Sequence, residues 1–207
     1  MKNAEAQGYY FRNQYTGGST PTNPKYSFLS RTGEVTEIQG RELADGAFFP
    51  DMMITDLEKK RVLAWDQLCD TLFTVSKEGI SPIYAFNFGE QAFPAEYQSM
   101  PDFYERYRKF ADENDPKVYA SFIKYYQPVD NKLYFSFITN KEDIYLARLD
   151  EKTGKVSTYR FVGDDKTKDY LQQAFFKIVG DRVLISFIDR NHREANPMIY
   201  SLPLTDL

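Results

Sequence analysis

The chain has 207 residues, of which 42% are hydrophobic and 27% charged. That is enough apolar material for an ordinary globular core, and it excludes disorder as the default. A formal net charge of -4 provides no basic field to neutralise phosphates, which excludes nucleic acid as an expected partner, and a single cysteine, Cys69, excludes an intramolecular disulfide or a multi-cysteine metal site.

The opening stretch, MKNAEAQGYYFRNQY, has no apolar core of the length a secretory signal or membrane span requires. No transmembrane segment is expected. Aromatic residues make up 16% of the chain, and Tyr and Phe favour pleated, half-buried surfaces, so strands are expected throughout. GYYFRNQY reads as a first strand. KYSFLSRTGEVTEI (25–38) places Gly33 between two short strands, in the manner of a hairpin. DMMITD and RVLAWDQ supply two further strands ahead of DTLFTVSKEGISPIYAFNF (70–88), a hairpin broken at Gly79.

Residues 94–116 read differently. Phe103, Tyr107 and Phe110 recur at helical spacing among charges, and Pro116 closes the segment. Strands resume with VYASFIKYYQ and KLYFSFITN, joined at Asp130-Asn131, and then a hairpin at 143–161 turns at Gly154. AFFKIVG, RVLISFIDR and PMIYSLPL complete the chain, with Gly180-Asp181 as the turn between the first two.

With the helical segment set aside, the hairpins repeat with a period of roughly 50 residues, within the range of architectures built from four strands per unit. The expected fold is all-β: one domain, a β-propeller segment of about three and a half four-stranded blades. The blades are placed at about 9–38, 48–88, 118–161 and 174–204, with the helical insertion at 94–116. Such an arc is too short to close a ring and would leave an apolar face wet at each end. Self-association, or pairing with further N-terminal blades, is therefore expected.

The run DTLFTVSKEGISPIYAFNFGEQAFPAEY resembles a stretch of six-bladed β-propeller proteins of gut bacteria, many of them lipoproteins of unknown function. The shared features are Asp70-Thr71 opening a strand, the Phe88-Gly89 step, and Pro94, Glu96 and Tyr97 at a helix start. Asn196-Pro197 before the last apolar run is similar to that family's closing strand. The likeness covers the family's C-terminal half. It implies a six-bladed ring, an N-terminal lipid-anchor signal and a periplasmic or cell-surface location. The sequence departs from the family in having no such signal and no lipobox cysteine, since Cys69 lies between two strands.

Candidate chemistry is sparse. His192, the lone histidine, lies in the polar loop DRNHREAN with Arg190, but no second histidine, nucleophile motif or metal-spaced carboxylate accompanies it. Trp65 and Asp66 put an indole beside a carboxylate, a combination suited to the apolar face and hydroxyls of a sugar. Neighbouring Asp70 is expected instead to accept hydrogen bonds at a strand entrance. Tyr125 and Tyr126 lie near the end of a strand expected to face the channel mouth. Trp65, Asp66, Tyr125, Tyr126, Arg190 and His192 are the candidate ligand-binding residues. No catalytic residue, metal or cofactor is expected, and no glycine-rich turn carries a nucleotide motif. The expected function is a non-catalytic binding or interaction module of the cell envelope, for glycan or protein. The rivals are a polysaccharide lyase or hydrolase using channel-mouth carboxylates and Tyr, and a structural half-ring.

Overall fold

The computed structural model describes residues 8–12, 26–38, 53–65, 68–98, 100, 103–141, 143–162, 175–187 and 198–207. The chain divides into two units, Met1–Asp112 and Glu113–Leu207. Every described sheet is antiparallel, and each is a meander in which neighbours in sequence are neighbours in space.

The first unit holds two sheets. Strands β1 (Gly8–Arg12), β2 (Tyr26–Ser30) and β3 (Val35–Ile38) form a three-stranded sheet. Strands β4 (Met53–Asp56), β5 (Arg61–Trp65), β6 (Thr71–Ser76) and β7 (Gly79–Ala85) form a four-stranded one. One face of each contributes to a common core: Tyr26, Phe28 and Ile38 from the first, Val62, Ala64 and Val75 from the second. Lys77, at the β6–β7 turn, extends its ammonium to 4.2 Å from the centre of the Phe28 ring, adding a cation–π contact between the sheets. Close packing also constrains β1, where a Cβ on Gly8 would collide with the Leu29 carbonyl oxygen and the Phe28 ring.

Position within a sheet explains the burial along each strand. Residues Val62 to Trp65 of β5 are buried in succession, so both faces of this central strand are covered, which its unbroken apolar run matches. Edge strand β7 is half-buried to exposed and accommodates Pro82, whose missing N–H would break a central ladder. The β4–β5 turn is closed by Asp56, whose buried carboxylate takes 2.8 Å and 3.1 Å hydrogen bonds from the Arg61 side chain and the Lys59 amide.

Two helices follow within the 94–116 segment, α1 (Ala95–Gln98) and α2 (Phe103–Phe110). Their burial departs from the expected aromatic stripe. Phe110 is buried against Phe93, but Tyr107 is exposed and Arg106 is the residue enclosed. The reason is polar: Arg106 Nη1 donates to the Gln98 carbonyl at 3.0 Å, satisfying an acceptor that the end of α1 leaves open.

The second unit repeats the plan. Strands β8 (Ala120–Val129), β9 (Lys132–Thr139), β10 (Ile144–Asp150) and β11 (Val156–Phe161) form a four-stranded sheet. Strands β12 (Phe175–Val179), β13 (Arg182–Phe187) and β14 (Met198–Pro203) form a three-stranded one. Asp130 and Asn131 turn β8 into β9 with positive φ at both residues, the backbone that matches strand twist in a two-residue hairpin. Tyr134, Ile144 and Leu146 from the four-stranded sheet pack with Phe176, Ile178, Val183 and Ile185 from the three-stranded one. The β9 residues Leu133 to Phe137 are buried in succession, while β11 alternates between exposed and half-buried.

Apolar packing alone leaves the sliding of one sheet on the other undetermined. Here Gln127 of β8 sets it. Its side-chain amide donates to the Ile178 carbonyl at 2.9 Å and accepts from the Ile178 amide at 3.0 Å, so that it takes the place of a main-chain partner for β12. Two other hydroxyls in this unit are less well served. Ser121 and Ser136 are buried with no hydrogen-bond partner among the described residues.

These environments make opposite predictions. Gln127→Met keeps the volume but strips both hydrogen bonds from Ile178, and should lower unfolding stability by about 2–3 kcal/mol. Ser136→Ala removes a hydroxyl that was desolvated without return, and should be neutral or stabilise by up to about 1 kcal/mol. Urea unfolding followed by tryptophan-independent far-ultraviolet circular dichroism measures both.

Candidate functional site

The sheet of β8–β11 carries, at one end, a group of polar residues held in place by side-chain-to-backbone hydrogen bonds. Asn140, at the β9–β10 turn, receives a hydrogen bond from the Tyr119 amide at 2.9 Å and donates to the Lys117 carbonyl at 3.0 Å. Its own amide also donates to the Tyr119 carbonyl at 2.9 Å. The segment leading into β8 is thereby fastened to the turn. Asp115 completes the joint: its carboxylate accepts from the Lys117 amide and the Tyr119 hydroxyl, each at 2.9 Å, and the Lys141 ammonium donates to its main-chain carbonyl.

Beside this joint, Asp143 enters β10. Its carboxylate accepts from Arg160 Nη2 at 2.6 Å and Nε at 3.1 Å, while its amide and carbonyl close the turn on Thr139. The Asp143–Arg160 pair is open to solvent, and is better read as orienting both groups than as a source of stability. Tyr145, cross-strand from Arg160 and Phe137, lies half-buried with its ring parallel to that of Phe137 at a centroid distance of 4.8 Å. An aromatic surface, a fixed carboxylate and a guanidinium thus occupy neighbouring positions.

The electrostatics favour ionised carboxylates. Hydrogen bonds from the Lys117 amide and the Tyr119 hydroxyl hold Asp115 below its ordinary pKa. Asp150 and Glu78 are also lowered, each chiefly by a hydrogen bond, from the Thr153 amide and the Ser76 hydroxyl respectively. Arg160 is raised, first by its hydrogen bond to Asp143 and then by that residue's charge. Carboxylates held in this way accept hydrogen bonds; a general acid requires the opposite displacement. Among the described residues, no group of three or more His, Cys, Asp or Glu is arranged to hold a metal ion.

Of the residues expected from the sequence, Trp65 closes β5 opposite Leu72 and is 5% exposed, so its indole is taken up in packing. Tyr125 and Tyr126 stand opposite Ser136 and Phe135 in the β8–β9 ladder, and their side chains lie outside those described. Asp66, Arg190 and His192 also lie outside the described residues. Asp70 serves a strand entrance, though differently from expectation: its main-chain carbonyl accepts from the Phe86 amide, and its carboxylate accepts from the Thr71 hydroxyl instead of from the backbone. Sequence reasoning missed Asp115, Asn140, Asp143, Tyr145 and Arg160. The polar run Thr139-Asn140-Lys141-Glu142-Asp143 between two apolar strands was the available signal.

No family model matches the chain, and no curated protein does. Among solved structures, the crystal structure of a protein of Bacteroides fragilis NCTC 9343, assigned as exported, superposes with a TM-score of 0.63 at 12% identity. The match covers 98% of this chain and 64% of that one. At this identity the likeness is one of fold. Among the described residues, no helix is long and apolar enough to cross a membrane.

The lowered Asp115 gives a pH prediction with a definite sign. A carboxylate depressed in the folded state contributes stability above its unfolded pKa, near 3.8, and loses it as the pH falls through the folded value. Asp115→Asn should therefore lower the urea midpoint most at neutral pH, with the gap from the parent protein closing as the solution is acidified below about pH 3. A gap independent of pH would remove the charge from the explanation.

Proposed function

We propose that the four sheets are successive blades of a β-propeller of the six-bladed kind, and that the protein is a non-catalytic binding module of the cell envelope. Two features support the architecture. In each unit, consecutive meander sheets pack face to face through a shared apolar core, as blades do. Four sheets also span 64% of the Bacteroides fragilis chain, which leaves that chain room for about two more of the same size. The envelope location is supported by that protein's assignment as exported and by the resemblance of the Asp70–Tyr97 run to envelope propellers.

The ligand surface in this reading is the loop end around Asp143, Tyr145 and Arg160, and the ligand is a glycan. The observation that carries it is the parallel Phe137–Tyr145 stack beside the Asp143–Arg160 pair. A half-buried Tyr edge and ring suits the apolar face of a sugar, and a fixed carboxylate and guanidinium suit its hydroxyls. In this reading β8, which carries Tyr125 and Tyr126 in its ladder, is the innermost strand of its blade.

The test is calorimetric titration with a panel of soluble bacterial and plant polysaccharides, alongside assays for reducing ends and unsaturated products. Binding without product is expected. Tyr145→Ala and Asp143→Ala should each weaken it about tenfold or more, corresponding to about 1.4 kcal/mol, with little change in the melting curve. Unchanged affinity in both variants would displace the site, and product formation would replace the binding module with an enzyme.

A further inference from the structure

The segment leading into β8 contains an Asp–Pro peptide bond, Asp115–Pro116, and the joint made by Asn140 closes around it. Among peptide bonds this pairing is the one most open to attack by its own side chain. The aspartate carboxylate can reach its own main-chain carbonyl carbon to form a cyclic anhydride, and the nitrogen that must leave belongs to a tertiary proline amide, more basic than an ordinary amide nitrogen.

The fold acts on this bond from both sides. The Asp115 carboxylate is held by hydrogen bonds from the Lys117 amide and the Tyr119 hydroxyl, each at 2.9 Å, which fix it on the C-terminal side of its own residue. Each oxygen keeps a lone pair for attack. The same bonds hold the group below its ordinary pKa, so the nucleophile is present without a deprotonation step. The main-chain carbonyl oxygen of Asp115, which belongs to the Asp115–Pro116 bond, accepts a hydrogen bond from the Lys141 ammonium at 2.9 Å. A turn closed by the carboxylate does not need that cation. Its position is where negative charge develops when the carbonyl is attacked, and it is fixed there because the neighbouring Asn140 is tied to Lys117 and Tyr119. Pro116, Lys117 and Lys141 are exposed, so water has access to the bond.

We propose that Asp115–Pro116 is a self-cleavage site, at which Asp115 is the nucleophile and Lys141 stabilises the oxyanion. A carboxylate oxygen forms a bond to the main-chain carbonyl carbon, and the tetrahedral intermediate places its negative oxygen on Lys141. The C–N bond then breaks, its electron pair goes to the Pro116 nitrogen, and that nitrogen takes a proton from water. Water opens the resulting anhydride, leaving Asp115 as a new C-terminus and Pro116 as a new N-terminus. One water is consumed, and nothing is oxidised or reduced. The cut falls just beyond the first unit, Met1–Asp112, and puts the two units on separate chains. This is a single event of the chain on itself, and it stands apart from the glycan reading.

The experiment follows the purified chain by intact mass spectrometry under denaturing conditions after incubation at about 37 °C, between about pH 5 and about pH 8. The expected products are residues 1–115 and 116–207, with Pro116 at the new N-terminus. The same chain unfolded in guanidinium chloride should cleave about tenfold or more slowly at each pH, since Lys141 then no longer meets the carbonyl. Lys141→Met should slow the folded chain about tenfold or more, and Lys141→Arg should restore part of the rate. Asp115→Glu, which would need a larger ring, and Pro116→Ala, which has a poorer leaving group, should remain whole. Circular dichroism establishes that each variant is folded, and the folded-against-unfolded comparison of the parent stands without them. A parent chain that stays intact overturns the proposal. So does an equal rate in the folded and unfolded chains or in folded Lys141→Met, and so does cleavage at this position in Asp115→Glu, which would assign the cut to a protease.

Discussion

A meander sheet satisfies its backbone internally, and nothing in its ladder tells it where the next sheet should lie. The amide of Gln127 supplies that missing instruction in the second unit. By binding both polar groups of Ile178, it makes β8 and β12 neighbours through one side chain where no strand ladder joins them. Asn140 performs the same service at the loop end, holding the Lys117–Tyr119 segment against the β9–β10 turn. Two donors and two acceptors on each carboxamide make it the one side chain able to imitate a peptide group in this way. The apolar faces supply the attraction between sheets, and these amides supply the register in which it is realised.

This division of labour accounts for the distribution of burial. Central strands β5 and β9 are buried in uninterrupted runs because both of their faces meet other structure, whereas β11 alternates and β7 tolerates Pro82 because each is an edge. Enclosure of Arg106 in the helical segment follows the rule that governs Gln127. A buried polar group is tolerated where it completes a backbone valence that would otherwise stay open.

The loop end is a surface ordered by side-chain hydrogen bonds. Asp115 accepts from the Lys117 amide and the Tyr119 hydroxyl and stays ionised to lower pH than an ordinary carboxylate, and Arg160 is tied to Asp143, so these groups are fixed in orientation. Fixed acceptors and donors next to an aromatic stack can discriminate the stereochemistry of hydroxyls at little cost in reorganisation. The joint made by Asn140 matters here as well, because it positions Asp115 and Lys141 from opposite sides of one turn.

Strand identities and turns were legible in the residue order because they rest on local chemistry. Alternation or unbroken apolar runs mark strands, Asp130-Asn131 can adopt positive φ, and Gly33 and Gly154 occupy turn positions with φ of 88° and 70°. The helical segment was legible in its bounds but not in its buried face, since Arg106 is drawn inward by a carbonyl eight residues earlier that no periodicity reveals. The site was hidden for the same reason. Asp143 and Arg160 lie on different strands, and Tyr145 meets Phe137 across a ladder, so their association depends on strand register and not on spacing along the chain. Trp65, conspicuous as the single tryptophan, went into packing because β5 is central. A residue's type sets what it can do; whether its strand is an edge or an interior one sets whether it is available to do it.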